Sequence, residues 1–120
     1  MSRIMIIDDS ESIREFLKAG LEAAGNEVIS AENGQDALDK LQTDIGLILC
    51  DFHMPVMDGI EFIRQARQIE DYKYIPILML TTENSVEQKK IAREAGATGW
   101  ITKPVTPDKI NEFLTKIIKE

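Results

Sequence analysis

The chain has 120 residues, 43% of them hydrophobic and 29% charged, which is typical of one globular domain with a proper core. Its 21 acidic and 14 basic residues give a formal net charge of -7, which disfavours nucleic-acid binding because that requires a positive surface. No apolar run approaches the roughly 20 residues that cross a bilayer, and the first residues lack a signal-peptide pattern. We therefore expect one domain over residues 1–120, with no separate output domain, in the cytoplasm. The single cysteine, Cys50, cannot form a disulfide within the chain, which is compatible with the reducing environment of the cytoplasm.

Apolar runs of strand length alternate with amphipathic helical patterns along the chain. The pattern predicts strands at residues 4–7, 27–31, 46–51, 75–80 and 98–102. It predicts helices at residues 10–24, 35–42, 60–69, 84–95 and 107–118. This order indicates parallel strands joined by right-handed helical crossovers, in a three-layer α/β/α sandwich.

Capping residues and apolar spacing add detail to the helices. Ser12 and Glu15 fit a capping box near the start of the first helix, Gly96 is expected to end the fourth, and Thr106 with Pro107 to begin the last. The predicted inward positions are Ile13, Phe16, Leu17, Leu21 and Ala24 in the first helix and Val86, Ile91, Ala92 and Ala95 in the fourth.

Polar side chains follow four of the predicted strands. Asp8 and Asp9 leave the first strand, Asp51 the third, Thr81 the fourth and Lys103 the fifth. Because the carboxyl ends of parallel strands meet at one edge, where open α/β sheets bind ligands, we expect these side chains to lie together. Each alone has an ordinary explanation as a helix cap, a strand threonine or a solvated lysine, but their joint arrival favours a functional site.

Three carboxylates at one edge repel one another unless a cation offsets their charge. The ligands on offer are hard oxygens, and the single histidine, His53, provides no cluster for zinc, so Mg²⁺ is favoured. A carboxylate beside Mg²⁺, a lysine and a hydroxyl is a set suited to phosphoryl transfer, with the carboxylate as nucleophile.

Four motifs together resemble those of response-regulator receiver domains, and among these the CheY-like single-domain regulators of chemotaxis. The motifs are Ile6-Ile7-Asp8-Asp9, residues 50–59, Leu80-Thr81-Thr82 and residues 96–104. The likeness spans residues 3–119. It implies five parallel strands in the flavodoxin-like order 2-1-3-4-5, and a cis peptide bond before Pro104.

The resemblance also implies roles for the acidic residues. Asp51 would be the phosphoacceptor, which takes a phosphoryl group from the phosphohistidine of a histidine kinase. Asp9 and Asp51 would bind Mg²⁺ directly, together with the backbone carbonyl of His53, and Asp8 would act mainly through a bound water.

Three further residues have implied roles in switching. Lys103 would pair with Asp51 at rest and with the phosphoryl group afterwards. Thr81 would follow the phosphoryl oxygen inward, and Trp100 would take the space that it leaves.

The implied output surface is the face made by the fourth helix, fifth strand and fifth helix. Its proposed members are Lys89, Lys90, Arg93 and Trp100, a basic patch on an acidic protein. The implied partners are a flagellar switch protein or another downstream protein, and a phosphatase, with the chain acting as a monomer. It would be no enzyme beyond catalysing its own phosphorylation and dephosphorylation. The alternative output is a phosphorelay intermediate or phosphate sink.

Three other functions of similar folds fit the sequence less well. A flavodoxin needs a loop after the first strand that holds a phosphate, whereas this loop carries Asp8, Asp9 and Glu11. A phosphatase with an aspartate nucleophile usually has a second aspartate two residues later, where this chain has His53. A dinucleotide-binding domain would show Gly-x-Gly-x-x-Gly after the first strand, which is missing.

Overall fold

A computed structural model describes residues 3–42, 44–82 and 85–117. Within them the strands are β1 (Arg3–Ile7), β2 (Glu27–Ala31), β3 (Leu47–Asp51), β4 (Ile77–Thr81) and β5 (Gly99–Thr102). The helices are α1 (Glu11–Ala23), α2 (Gly34–Asp39), α3 (Gly59–Arg67), α4 (Val86–Ala95) and α5 (Pro107–Ile117), with a 3-10 turn at Glu70–Tyr72. No helix in this described part of the chain is long and apolar enough to cross a membrane.

The strands form one parallel sheet in the order β2-β1-β3-β4-β5. This confirms both the parallel α/β architecture and the flavodoxin-like order. The register pairs Ile7 with Cys50 and Asp51 with Leu80. The residues that follow β1 therefore reach the same edge of the sheet as the last residue of β3.

Both faces of the sheet are buried, and alternate strand residues point to opposite faces. The face that packs against α1 and α5 carries Ile4, Ile6, Leu47, Leu49, Leu78 and Leu80. The face toward α2, α3 and α4 carries Met5, Ile7, Ile48, Cys50, Ile77 and Met79. Burial raises the pKa of the Cys50 thiol well above its ordinary value, so this cysteine is a protonated core residue.

The helix starts correct one prediction and confirm another. The hydroxyl of Ser10 caps the first turn of α1, so the capping box predicted at Ser12 and Glu15 is wrong. Both of those residues lie inside the helix and are exposed. Thr106 and Pro107 begin α5 as predicted, with the threonine hydroxyl accepting a hydrogen bond from the backbone of the first turn.

The ends of the helices also differ in part from the prediction. Helix α2 ends at Asp39, short of the predicted residue 42. Gly96 ends α4 as predicted, with a φ of 117° that favours glycine. The predicted start of α4 at Asn84 and the last apolar position of α5, Ile118, lie outside the described residues.

Some residues that were predicted to face inward are exposed. They are Phe16, Ala24, Val86 and Ile91. Phe16 of α1 is 54% exposed and Val86 of α4 is 83% exposed. Helix α4 is therefore anchored to the core mainly by two alanines, Ala92 and Ala95, whose short side chains give it a thin contact.

Candidate functional site

The ends of β1 and β3 bring three carboxylates together, as the sequence predicts. Asp8 and Asp9 follow β1, Asp51 is the last residue of β3, and one oxygen from each lies within 4.8 Å of the others. Asp8 and Asp51 are buried, whereas Asp9 is exposed. Carboxylates this close repel one another in their ionised form, so the site favours a cation.

Hydrogen bonds hold the backbone and one carboxylate oxygen of Asp8, while its other carboxylate oxygen makes none among the described residues. The backbone N–H of Asp8 donates to the carbonyl of Ala31 in β2 at 3.1 Å, and its Oδ1 accepts from the backbone N–H of Ser10 at 2.9 Å. The other oxygen, Oδ2, is buried and has no hydrogen-bond partner among the described residues. Its nearest described cation is the ammonium of Lys103 at 3.6 Å.

Lys103 joins the two buried carboxylates from the end of β5. Its Nζ lies 3.2 Å from Oδ1 of Asp51, closer than to Asp8. The backbone N–H of Lys103 donates to the carbonyl of Thr81 at 2.7 Å, and this holds the ends of β4 and β5 side by side. The Lys103–Pro104 peptide bond is cis, as the resemblance implies.

The charges shift the pKa values of this pair. Burial raises the pKa of Asp51 and the charge of Asp8 adds to the effect, while the ammonium of Lys103 opposes it. Burial acts to lower the pKa of Lys103, but the carboxylates of Asp8 and Asp51 outweigh it, so the net direction is upward. A single ammonium therefore does not fully compensate the three carboxylates of Asp8, Asp9 and Asp51, which together form the acidic edge of the sheet.

The raised pKa of Asp51 predicts a pH-dependent gain in stability for Asp51→Asn. Below about pH 4, Asp51 is protonated in both the folded and unfolded states, and its stabilising contribution is complete. That contribution is lost as the pH rises through the folded-state pKa, at about 1.4 kcal/mol for each unit by which the pKa is raised. Asparagine does not titrate. In metal-free buffer the variant should therefore gain stability relative to the wild type between pH 4 and pH 7, measured as Tm.

The control for that measurement is Asp58→Asn. Asp58 is the exposed cap of α3, where asparagine serves equally well, so this variant should show no such gain in Tm over the wild type between pH 4 and pH 7. Lys103 keeps Asp8 as a partner in Asp51→Asn, so no isolated charge is created. An Asp51→Asn protein less stable than the wild type at pH 7 would mean that the Asp51–Lys103 ion pair is stabilising overall.

A close approach of two backbone segments shapes the loop after β3. A Cβ atom on Gly59 would lie 2.4 Å from the carbonyl oxygen of Asp51, so the first residue of α3 has to be glycine. The N–H of Gly59 donates to the carbonyl of Phe52 at 3.2 Å. His53 lies in this loop with an exposed side chain, and its ring contacts that of Phe52 at 4.9 Å between centroids.

The residues predicted to switch lie along β4 and β5, beside α4. Thr81 ends β4 and is buried, and Trp100 of β5 is partly buried against the core. The two residues line a common small cavity. Nζ of Lys89 lies 4.9 Å and Cζ of Arg93 lies 5.5 Å from the centre of the tryptophan ring, both within cation–π distance.

The structure thus divides the predicted site residues into two groups. The first group is the acidic edge with Lys103. The second is Trp100 with Lys89 and Arg93. Thr81, at the end of β4 beside β3, lines a cavity together with Trp100 of the second group. Lys90, the remaining predicted member of the basic patch, is exposed on the same helix.

The acidic edge suits a small, hard cation. It offers three carboxylates and a buried oxygen of Asp8 that lacks a hydrogen-bond partner among the described residues. Mg²⁺ prefers few carboxylate ligands and keeps several waters, so the residues present fit this ion.

Two residues that hold the acidic edge in place were not predicted from the sequence. Ser10 fixes a carboxylate oxygen of Asp8, and Arg14 of α1 donates to the backbone carbonyl of Asp8 at 2.7 Å. The signal for Ser10 was present, because a serine directly before a helical pattern is a preferred cap. Arg14 gave no such signal, since an arginine on the polar face of a helix is ordinary.

Fold and acidic edge together define a class of signalling protein. The chain belongs to the response regulator receiver domain family, whose sequence profile it matches over residues 4–115. It is thus a receiver domain of a two-component system, a class of signalling proteins rather than classical enzymes.

Relatives within this family include both longer regulators and chemotaxis proteins. The alkaline phosphatase synthesis transcriptional regulatory protein PhoP of Bacillus subtilis is 38% identical over 98% of this chain, which spans 48% of that protein. Chemotaxis protein CheY1 of Helicobacter pylori is 34% identical over 97% of this chain and 96% of its own length. The structure of chemotaxis protein CheY4 of Vibrio cholerae superposes with a TM-score of 0.92, at 42% identity over 98% of this chain and 99% of that one.

Proposed function

We propose that this chain is the phosphoacceptor of a two-component system and takes a phosphoryl group onto Asp51 from the phosphohistidine of a histidine kinase. One observation carries the proposal: Asp51 lies 3.2 Å from the ammonium of Lys103 at an edge where three carboxylates converge. Such a set provides a nucleophile and a fixed cation for the charge that moves during transfer.

The chain's own residues divide the work of the transfer. A carboxylate oxygen of Asp51 forms the new bond to phosphorus while the bond from phosphorus to the histidine nitrogen breaks, and the imidazole leaves. Lys103 moves its pairing from the Asp51 carboxylate to the phosphoryl oxygens. The hydroxyl of Thr81, at the end of the neighbouring strand, donates a hydrogen bond to one of the phosphoryl oxygens.

Mg²⁺ is the proposed cofactor. Asp9, Asp51 and the backbone carbonyl of His53 would hold it, with Asp8 acting mainly through a bound water. When bound, the ion supplies positive charge that offsets the acidic edge and the phosphoryl oxygens.

The proposed signal leaves through Trp100 and the basic patch of Lys89, Lys90 and Arg93. Movement of Thr81 toward the phosphoryl oxygen enlarges the cavity that it shares with Trp100, and the ring fills this space. That movement separates the ring from the two cations of α4, which are then free to bind an acidic segment of a partner. The thin contact of α4 with the core lets this face adjust at modest cost.

We further propose that the output is chemotaxis control through the flagellar switch, with a phosphatase to reset the signal and a monomer in the cytoplasm as the working form. This is supported by the likeness to CheY1 and CheY4, both named chemotaxis proteins. A phosphorelay intermediate or phosphate sink is the second candidate, because the acidic edge itself serves transfer in either direction.

The emission of Trp100 tests the switch. Trp100 is the single tryptophan, so its fluorescence is free of competing signals. A small acyl phosphate with Mg²⁺ should change the emission of the wild type.

The double variant Lys89→Glu with Arg93→Glu should bind an acidic peptide from a flagellar switch protein at least about tenfold more weakly than the wild type, because the attraction becomes repulsion. Its phosphorylation rate should stay unchanged.

The matched control is Lys18→Glu, which reverses an exposed charge on α1. It should leave peptide binding as in the wild type. This output face would be excluded if the emission of Trp100 did not change at full phosphorylation and the double variant Lys89→Glu with Arg93→Glu bound the peptide as tightly as the wild type. Phosphorylation that never increases capture of the peptide would favour the sink.

A further inference from the structure

A charged side chain outside the acidic edge holds the backbone that carries two of its carboxylates. Arg14 lies in the second turn of α1, and its Nη1 donates to the carbonyl oxygen of Asp8 at 2.7 Å. This carbonyl belongs to the peptide group that joins Asp8 to Asp9. Fixing its direction therefore also fixes the directions in which both side chains leave the backbone.

The contact completes a set of anchors on Asp8. The backbone N–H is held by β2 and Oδ1 by the cap of α1, while Arg14 holds the carbonyl. The remaining oxygen, Oδ2, faces Lys103 and has no hydrogen-bond partner among the described residues. A short bond from a guanidinium to a carbonyl is a strong, charge-assisted one. Its loss would free the Asp8–Asp9 peptide to rotate.

We propose that Arg14 is a positioning residue for the Mg²⁺ site, acting through the Asp8–Asp9 peptide. The proposal rests on the function proposed above and adds a residue that the site's own chemistry does not require. Arg14 neither touches the carboxylates nor takes part in the transfer.

The sign of the effect separates positioning from simple electrostatics. Arg14 is a cation close to a site that binds a cation, so its charge alone opposes Mg²⁺. Removing that charge should tighten Mg²⁺ binding if charge is all that matters. Removing the anchor should weaken it if Arg14 positions the ligands.

The experiment is calorimetric titration of the full, unphosphorylated chain with MgCl₂. Arg14→Met keeps the aliphatic stem but removes donor and charge, and its Kd should be about tenfold weaker than that of the wild type, as for other groups that orient metal ligands. Arg14→Lys keeps the charge without the planar donor group, and should be weaker by about threefold. Lys18→Met removes a charge one turn further along α1, and its Kd should stay within about twofold of the wild type.

The outcomes are distinct. An Arg14→Met protein that binds Mg²⁺ as tightly as the wild type, or more tightly, would overturn the proposal. Should that variant not fold, Arg14→Lys decides alone, and a Kd equal to that of the wild type would overturn it. A wild type that binds no Mg²⁺ would instead contradict the function proposed above.

Discussion

Replacing Asp51 with asparagine is expected to abolish phosphorylation of the chain. The amide keeps the shape of the side chain but is not a nucleophile, so no bond to phosphorus can form. Wild type treated with a small acyl phosphate and Mg²⁺ should gain one phosphoryl group per molecule, measured by mass spectrometry of the intact protein. The variant should gain none under the same conditions, and none from a purified histidine kinase.

Asp58→Asn is the control for this labelling, as it is for the pH measurement. Asp58 lies in the same loop after β3, but its side chain caps α3, accepting from the backbone N–H of Glu61 at 2.9 Å. Asparagine should keep this cap and leave labelling unchanged. Phosphate found on a serine, a threonine or His53 in the wild type would contradict the assignment of Asp51.

The acidic edge could be predicted from the sequence because parallel topology leaves little choice. Once the strands are parallel, every residue at a carboxyl end must reach the same edge. Asp8 and Asp51 follow apolar runs directly, and Lys103 follows the end of the fifth predicted strand. Nζ of Lys103 lies 3.2 Å from Oδ1 of Asp51 and 3.6 Å from Oδ2 of Asp8, which confirms that the three side chains meet at this edge. The strand order could not be obtained in this way, because several orders satisfy the same alternation of strands and helices. It came from the resemblance.

Helix faces were harder to predict, because apolar spacing identifies a stripe but not how wide the contact is. Phe16 fits the stripe of α1, yet it lies at its margin and is 54% exposed. It lines an apolar groove with Ile13, Pro104 and Val105 beside Lys103. The width of a helix contact depends on the neighbouring elements, which the spacing of one helix does not report.

Long-range contacts of polar residues were also beyond the sequence. Tyr72 lies outside every predicted strand and helix, between two charged residues, yet it is buried. Arg67 at the end of α3 donates to the carbonyls of Tyr72 and Gly96 at 2.8 and 3.0 Å, linking α3 to the end of α4. Both contacts satisfy backbone groups, which carry no residue-specific pattern.

The largest effect on metal binding is expected for Asp9→Ala. Asp9 is the exposed carboxylate of the acidic edge and a proposed direct ligand, so the variant should show no Mg²⁺ binding by calorimetry and no Mg²⁺-dependent phosphorylation. Mg²⁺ at about 100 times its Kd should raise the unfolding free energy of the wild type by about 2.7 kcal/mol. The variant should gain nothing.

Without metal, the same variant should be at least as stable as the wild type. Burial and the charge of Asp8 are the main causes of the raised pKa of Asp51, and Asp9 adds to them, so removing Asp9 relieves repulsion. The control is Asp71→Ala, an exposed aspartate in the turn between α3 and β4, which should keep the Mg²⁺-dependent rise in Tm. Metal binding and phosphorylation that persist in Asp9→Ala would mean that Asp8 and Asp51 hold the ion without it. In that case the exposed carboxylate would contribute only to the repulsion.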